Sequence, residues 1–156
     1  MPKPLVSVVI PVYNGERYLR QALESVFAQS YRNLEVIAVN DGSTDSSATI
    51  LAPYGDRLRA VDQANAGVGA ARNTGIGTAR GDLVAFLDQD DWWQPGKIDR
   101  QVALFQADKR LGLVHTDVVH YDDVTTQYVG PLDPQAEPHR LVGDCYERLL
   151  LDNQVY

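Results

Sequence analysis

The sequence predicts one α/β domain with a mostly parallel, doubly wound β-sheet. Short segments rich in Val and Ile alternate with segments of helical periodicity, which is the pattern of repeated strand–helix units. The first of these segments is apolar almost throughout, as expected of a strand covered by helices on both faces. A chain of 156 residues suits a single domain of this kind.

The N-terminal part of the sequence predicts two strand–helix units. LVSVVIPVY (5–13) predicts the first strand, and Asn14 is expected to cap the helix after it. Over residues 15–29, apolar pairs recur every fourth position, which predicts an amphipathic helix. LEVIAVND (34–41) predicts the second strand, and the following DGSTDSS favours a turn and a short helix to about Ala52.

The next part predicts two further units and a fifth strand. LRAVDQ (58–63) predicts the third strand, and a helix of small residues follows over 68–79. DLVAFLD (82–88) predicts a buried fourth strand. Pro95 suits the first turn of a helix that we expect to reach about Lys109. LGLVHTDVVHYD (111–122) predicts the fifth strand.

The C-terminal part predicts little regular structure. Three prolines lie within residues 123–141, which favours a loop or an irregular hairpin. A last helix is expected over about 143–152.

Composition limits the partners. The formal net charge of −7 argues against nucleic acid, which would require a basic patch. An anionic ligand would need local help from a metal ion, a helix N-terminus or a few basic residues. Cys145 is the only cysteine, which excludes an intrachain disulfide and favours a reducing compartment. No apolar run approaches the roughly 20 residues of a membrane span.

Polar clusters follow three of the predicted strands directly. They are PVYNG, NDGSTD and LDQDD. Because the carboxyl ends of parallel strands meet at one edge of a sheet, we expect these clusters to converge where ligands of doubly wound folds bind.

The third cluster crowds three carboxylates into four positions. Side chains alternate in an extended segment, so Asp88 and Asp90 point the same way and Asp91 begins the turn. Such oxygen ligands suit Mg²⁺ or Mn²⁺, and Mg²⁺ is typically held by one or two carboxylates plus substrate phosphates. The alternative is a strand-end Asp followed by solvated turn residues. The position after an apolar strand, beside two other polar strand ends, favours the cation.

The sequence resembles a known enzyme family over about residues 5–121. VSVVIPVYNGERYLRQALESVFAQSY, LEVIAVNDGSTDSS and NAGVGAARNTGIGTARGDLVAFLDQDDWWQPGKI are similar, in order and spacing, to the N-terminal half of family 2 glycosyltransferases. The resemblance implies a GT-A fold, with a Rossmann-like, mostly parallel sheet flanked by helices. It also implies transfer of a sugar, with inversion, from a nucleotide-diphosphate sugar that is often a uridine diphosphate sugar.

The resemblance assigns donor-binding roles at the strand ends. Asp41 would hydrogen-bond the base, Gly42 and Ser43 would shape the same wall, and Asp88 would contact the ribose or sugar. Gln89 stands where the family often has a small residue, so sugar contacts are expected to differ there. The remaining residues matched to nucleotide-sugar contacts are Pro11, Tyr13, Asn14, Asn65, Gly67, Arg72 and Asn73.

The resemblance also makes Asp90 the principal ligand of Mn²⁺ or Mg²⁺, with Asp88 and Asp91 nearby. Taken alone, Tyr13 is as readily explained as an ordinary strand-end residue, and Asp41 as an ordinary turn residue, as by contact with a ligand. Arg72 suits phosphate or a helix acid about equally. The other residues for which packing or structure is the simpler explanation are Trp92, Trp93, His115, His120 and His139.

The catalytic base is expected beyond Tyr156. In the family it is a carboxylate of the acceptor-binding half, and Asp117, Asp122, Asp133 and Glu137 match no motif position. We therefore expect residues 1–122 to form the donor-binding core and 123–156 to begin an acceptor-side region that is cut short. The alternative to an enzyme is thus a fragment that binds a nucleotide-sugar without turnover.

The expected setting follows from the family as well. The acceptor would be a saccharide, a lipid-linked molecule or a protein, and polysaccharide biosynthesis for the cell envelope would be the process. The expected location is the cytoplasm, including the cytoplasmic face of a membrane, with membrane association only through regions outside this sequence.

Overall fold

The computed structural model describes residues 2–116, 119–122 and 127–131. Its first compact unit ends at Val102 and its second begins at Ala103. The first unit contains four strands, which are β1 (Val6–Val12), β2 (Leu34–Asp41), β3 (Arg59–Gln63) and β4 (Leu83–Phe86). The helices are α1 (Leu19–Phe27), α2 (Ser47–Leu51), the 3₁₀ helix Ala52–Arg57, α3 (Val68–Thr78) and α4 (Lys97–Ala107), whose last residues belong to the second unit.

The four strands form one parallel sheet in the order β3-β2-β1-β4. Every residue of β1 is buried, because β1 lies inside the sheet and has side chains in two separate apolar cores. Val8 and Ile10 pack in the core that includes α1, whereas Val9 packs with Ala71 of α3. The predicted doubly wound arrangement is therefore confirmed.

Helix α3 approaches the sheet closely because it carries small residues. A Cβ added at Gly75 would overlap the side chain of Val9. The small residues give α3 little amphipathic character. They are explained by the close packing of the α3 backbone against the sheet.

The amphipathic stripe after β1 forms a shorter helix than the sequence predicts. Helix α1 begins at Leu19 and buries Leu19, Leu23 and Val26. The expected cap at Asn14 is wrong: Asn14 has a positive φ of 51°, and its side-chain oxygen accepts a hydrogen bond from Thr44 N at 2.8 Å. Asn14 thus joins the β1 end to the β2 end instead of starting a helix.

Strand β4 is not buried as predicted. Its burial alternates, and Val84 and Phe86 are 39% and 44% exposed. Within the described part of the chain β4 pairs only with β1, so it is an edge strand there, and its side chains on the α3 side of the sheet remain accessible.

The second unit contains a two-stranded antiparallel sheet of β5 (Val119–Asp122) and β6 (Gln127–Pro131). The predicted strand over 111–122 is therefore wrong in its first half, since residues 111–116 form no strand. The expected hairpin is confirmed where β6 pairs with β5. The predicted helix over 143–152 lies outside the described residues. No helix in the described ranges has the length and apolar character needed to cross a membrane.

Candidate functional site

The polar segments that follow β1, β2 and β4 meet at one edge of the sheet. We call residues 13–16, 41–47 and 88–91 the rim. Asn14 N donates to Ser43 Oγ at 3.1 Å, and Gly15 N donates to the buried Ser47 Oγ at 2.9 Å. The predicted convergence of the three clusters is confirmed, and it rests on direct hydrogen bonds between them.

Two acidic residues that sequence reasoning missed join the first two segments. Glu16 N donates to Asp45 Oδ2 at 2.9 Å, and Ser46 N donates to Glu16 Oε2 at 3.1 Å. Burial alone raises the pKa of Asp45, but hydrogen bonds from Ser47 and Glu16 outweigh it and hold the pKa below its usual value. The signal in the sequence was the last Asp of DGSTD, which suits an Asx-turn to Ser47 N, observed at 2.9 Å.

Asp41 anchors the loop between β3 and α3. It is only 2% exposed and accepts hydrogen bonds from Gln63 Nε2, Ala66 N and Gly67 N at 2.6, 2.9 and 2.8 Å. Burial raises the pKa of this carboxyl, but the three donated hydrogen bonds together lower it by more than burial raises it. The net pKa therefore lies below the usual value. Most of the accepting capacity of Asp41 is therefore used inside the protein.

Glycines allow that loop to lie against the β2 end. Gly42 has φ +71° and Gly67 has φ +90°, which L side chains rarely adopt. A Cβ at Gly42 would also lie 2.9 Å from Asn65 N. Asn65 itself is exposed beside the rim.

Arg72 of α3 forms an ion pair with Asp88 at the end of β4. The Arg72 Nη2 to Asp88 Oδ1 distance is 2.7 Å, and the two side chains are 38% and 44% exposed. Arg72 Nε is buried without a hydrogen-bond partner among the described residues. The sequence left phosphate and a helix acid as partners, whereas the structure pairs this cation with a strand-end acid. Asp88 is thus partly neutralised by the protein.

The acidic turn itself is open to solvent. Asp91 N donates to Asp88 O at 3.1 Å, which closes the turn, and Asp90 and Asp91 are exposed. Among the residues that the structure describes, no three His, Cys, Asp or Glu side chains are grouped to hold a metal ion. A cation here would need ligand oxygens from another molecule, which agrees with the usual Mg²⁺ set of one or two carboxylates plus phosphates.

The side chain of Gln89 binds the backbone of Tyr13. Tyr13 N donates to Gln89 Oε1 at 2.8 Å, and Gln89 Nε2 donates to Tyr13 O at 2.9 Å. The amide expected near the sugar is therefore engaged within the protein. The Tyr13 residue is 48% exposed.

The segment after the acidic turn is held by Ser25 of α1 and by Gln29, which lies just beyond the end of α1. Ser25 Oγ accepts from Trp93 N at 3.1 Å. Gln29, which is buried, donates to Gln94 O at 2.9 Å and accepts from Ile98 N at 3.2 Å. Trp93 is buried in the core, as expected from packing, and Trp92 is half-buried.

Two predicted site residues lie apart from these contacts. Pro11 is buried within β1, opposite Val39 of β2 and beyond the last residue that pairs with β4, so its missing N–H removes no bond to β4. Asn73 is exposed on α3 next to Arg72.

A parallel α/β sheet with polar groups gathered at the carboxyl ends of its strands is typical of domains that bind a ligand at that edge. The sequence matches the model of the family described as "Glycosyl transferase family 2" over residues 7–151. The chain therefore belongs to glycosyltransferase family 2.

Curated relatives are named glycosyltransferases. An uncharacterized glycosyltransferase of Rickettsia typhi is 42% identical over 118 residues, covering 76% of this chain and 36% of the relative. Glycosyltransferase GlyA of Streptococcus pneumoniae is 41% identical over 113 residues, covering 69% of this chain and 16% of GlyA. The chain thus spans 36% or less of the length of these two proteins.

Solved structures confirm the GT-A fold. TarS 1–349 of S. aureus in complex with UDP-GlcNAc has a TM-score of 0.63 and 30% identity, over 66% of this chain and 31% of TarS. The mannosyltransferase PcManGT of Pyrobaculum calidifontis, in complex with GDP-Man and Mn²⁺, has a TM-score of 0.63 and 25% identity, over 67% of this chain and 33% of that one.

Proposed function

We propose that the whole protein transfers a sugar from a nucleotide-diphosphate sugar to an acceptor with inversion, and that residues 1–122 form its donor-binding part. The observation that carries the proposal is the rim of a family 2 chain, where Tyr13 and the acidic turn lie together and Arg72 of α3 pairs with Asp88. Residues 123–156 would begin the acceptor side. Uridine diphosphate is the proposed nucleotide, since TarS at 30% identity holds UDP-GlcNAc.

The base and ribose would lie against the β1 and β2 ends. Tyr13 offers an accessible ring for stacking. Asp41 has one oxygen, Oδ2, with a single protein donor, Gly67 N, and would use its remaining capacity on the base. The other residues proposed to line this part of the site are Pro11, Asn14, Gly42, Ser43, Asn65, Gly67 and Asn73.

The diphosphate would lie beside Arg72 and the acidic turn. The net charge of −7 makes local positive charge necessary, and Arg72 supplies one such group beside Asp88. Asp90, with Asp88 and Asp91, would hold Mn²⁺ or Mg²⁺ together with phosphate oxygens. Such a cation, when bound, neutralises charge that develops on a diphosphate leaving group.

In the proposed reaction, an acceptor hydroxyl oxygen bonds to the anomeric carbon as the bond from that carbon to the diphosphate breaks. The nucleoside diphosphate leaves, and the hydroxyl proton passes to a carboxylate base of the whole protein. The acceptor would be a saccharide, a lipid-linked molecule or a protein, in envelope polysaccharide synthesis on the cytoplasmic side.

Calorimetric titration tests the donor site. Uridine diphosphate should bind this chain in the presence of Mn²⁺, and Asp90→Asn should lose the metal-dependent part of the affinity while keeping the melting temperature. Equal loss of folding and binding in Asp90→Asn, or no binding of uridine, guanosine or thymidine diphosphate by the unmodified chain, would count against the site.

A second function has one observation in its favour. Because the chain spans 36% or less of the two curated relatives, it could bind the donor without transferring the sugar. Turnover of a nucleotide-sugar by this chain alone would rule out a binding-only fragment.

A further inference from the structure

Gln89 forms two hydrogen bonds with the backbone of a single residue of the neighbouring loop, Tyr13. A carboxamide carries a donor and an acceptor side by side, so it can pair with both Tyr13 N and Tyr13 O, at 2.8 and 2.9 Å. We call this pair of bonds the Gln89 bracket. It joins residues 76 positions apart in the chain, so it links the β1 end to the acidic turn.

The loop after β1 is shaped to receive this amide. Gly15 is buried, and a Cβ added to it would overlap the Gln89 carboxamide, with Gln89 Cδ only 2.7 Å away. Gly15 does not have a positive φ, so an alanine there suits the backbone and conflicts only with Gln89. The glycine is required by the bracket and not by the turn.

The position of Gln89 between two carboxylates gives the bracket a further consequence. Gln89 and Asp90 are the two central residues of the turn that the Asp91 N to Asp88 O hydrogen bond closes. Holding the Gln89 side chain on the Tyr13 backbone therefore fixes where this turn, with Asp88 and Asp90 on either side of Gln89, lies relative to the end of β1. The same bonds hold the backbone that carries the exposed Tyr13 ring.

We propose that Gln89 is a positioning residue that aligns Tyr13 on the nucleotide side with the carboxylates on the metal side, so that Mn²⁺ tightens nucleotide binding through the bracket. This inference rests on the proposed donor site. A residue that only stabilises the fold would lower the melting temperature without changing how far Mn²⁺ tightens binding.

The test compares uridine diphosphate affinity with and without Mn²⁺ in Gln89→Met, Gln89→Ala and Gly15→Ala. Met keeps an unbranched side chain of similar length and removes both hydrogen bonds. The factor by which Mn²⁺ tightens binding should fall about tenfold in Gln89→Met, which is the size of one or two lost hydrogen bonds. The matched control is Gln21→Met on the exposed face of α1, which should leave the factor unchanged.

A double-mutant cycle tests whether Gln89 and Gly15 act through the same contact. Gly15→Ala alone should weaken binding because it displaces the amide. In the Gln89→Ala background the space is open, so the added Gly15→Ala change should cost nothing further. If the two effects multiply, or if Gln89→Met keeps the full Mn²⁺ factor, the positioning role is wrong.

Hydrogen exchange separates this inference from the donor-site proposal. The Tyr13 amide should exchange about tenfold faster in Gln89→Met, whether or not a nucleotide binds. Unchanged exchange would show that the bracket does not form. Failure of the unmodified chain to bind any nucleoside diphosphate would instead defeat the donor site, and the role of Gln89 with it, even if Tyr13 exchange behaves as expected.

Discussion

Gln29→Met is expected to destabilise the domain although it replaces one unbranched side chain by another. Gln29 is 1% exposed, and its amide contacts Ser25 O, Gln94 O and Ile98 N at 3.2, 2.9 and 3.2 Å. Ile98 N lies in the first turn of α4, where a helix has N–H groups without an intrahelical partner. Gln29 therefore acts from the segment just after α1 as a cap for α4.

The cost follows from these three contacts. Leaving one buried N–H unpaired costs about 1–3 kcal/mol, and each of the two other lost hydrogen bonds costs about 0.5–1.5 kcal/mol. We therefore expect a decrease of about 3 kcal/mol in the free energy of unfolding, which is a large part of the about 5–15 kcal/mol typical of a domain. The melting temperature should fall by roughly 6–12 °C for a chain of this size.

Urea and thermal denaturation of Gln29→Met measure this effect, with Gln21→Met in α1 as the matched control. Gln21 is exposed, so its replacement should change stability by less than about 0.5 kcal/mol. A loss in Gln29→Met no larger than in Gln21→Met would refute the capping argument.

Three further predictions concern the rim and the sheet. Arg72→Met should weaken uridine diphosphate binding about tenfold in calorimetry with little change in melting temperature, because its pair with Asp88 is partly exposed. Asp41→Asn should lower stability at neutral pH. The Asp41 pKa is below its unfolded value, so its contribution is present above about pH 4 and lost as pH falls through the folded pKa, and denaturation across pH should show the two proteins converging in acid. Gly75→Ala should cost about 1–3 kcal/mol in urea denaturation because the new Cβ overlaps Val9.

Each of these three predictions has a result that would contradict it. Unchanged affinity in Arg72→Met would remove Arg72 from the proposed phosphate contacts. If the free energy of unfolding differs by the same amount between Asp41→Asn and the unmodified protein at every pH, the negative charge of Asp41 does not stabilise the loop. Full stability of Gly75→Ala would show that α3 can move away from the sheet.

Local patterns predicted most of the regular structure. The apolar run of β1 and the stripe of α1 depend on burial periodicity, which is written in neighbouring residues. The exposure of β4 was missed, because an apolar run is the same for a buried strand and for one that, like β4 within the described residues, has a neighbour on one side only. The cap assigned to Asn14 failed because its side chain bonds instead to Thr44, a residue of the next loop.

The sequence by itself determined the order of the strands and helices, the family, and which polar clusters follow a strand, because these depend on periodicity and on motifs of adjacent residues. Only the tertiary structure decided what the polar groups of the rim bind. Asp41 anchors a loop, Arg72 pairs with Asp88, and Gln89 holds the Tyr13 backbone. These partners lie 16 to 76 residues apart, and a side chain with several donors or acceptors finds its partner only after the parallel sheet has brought the strand ends together.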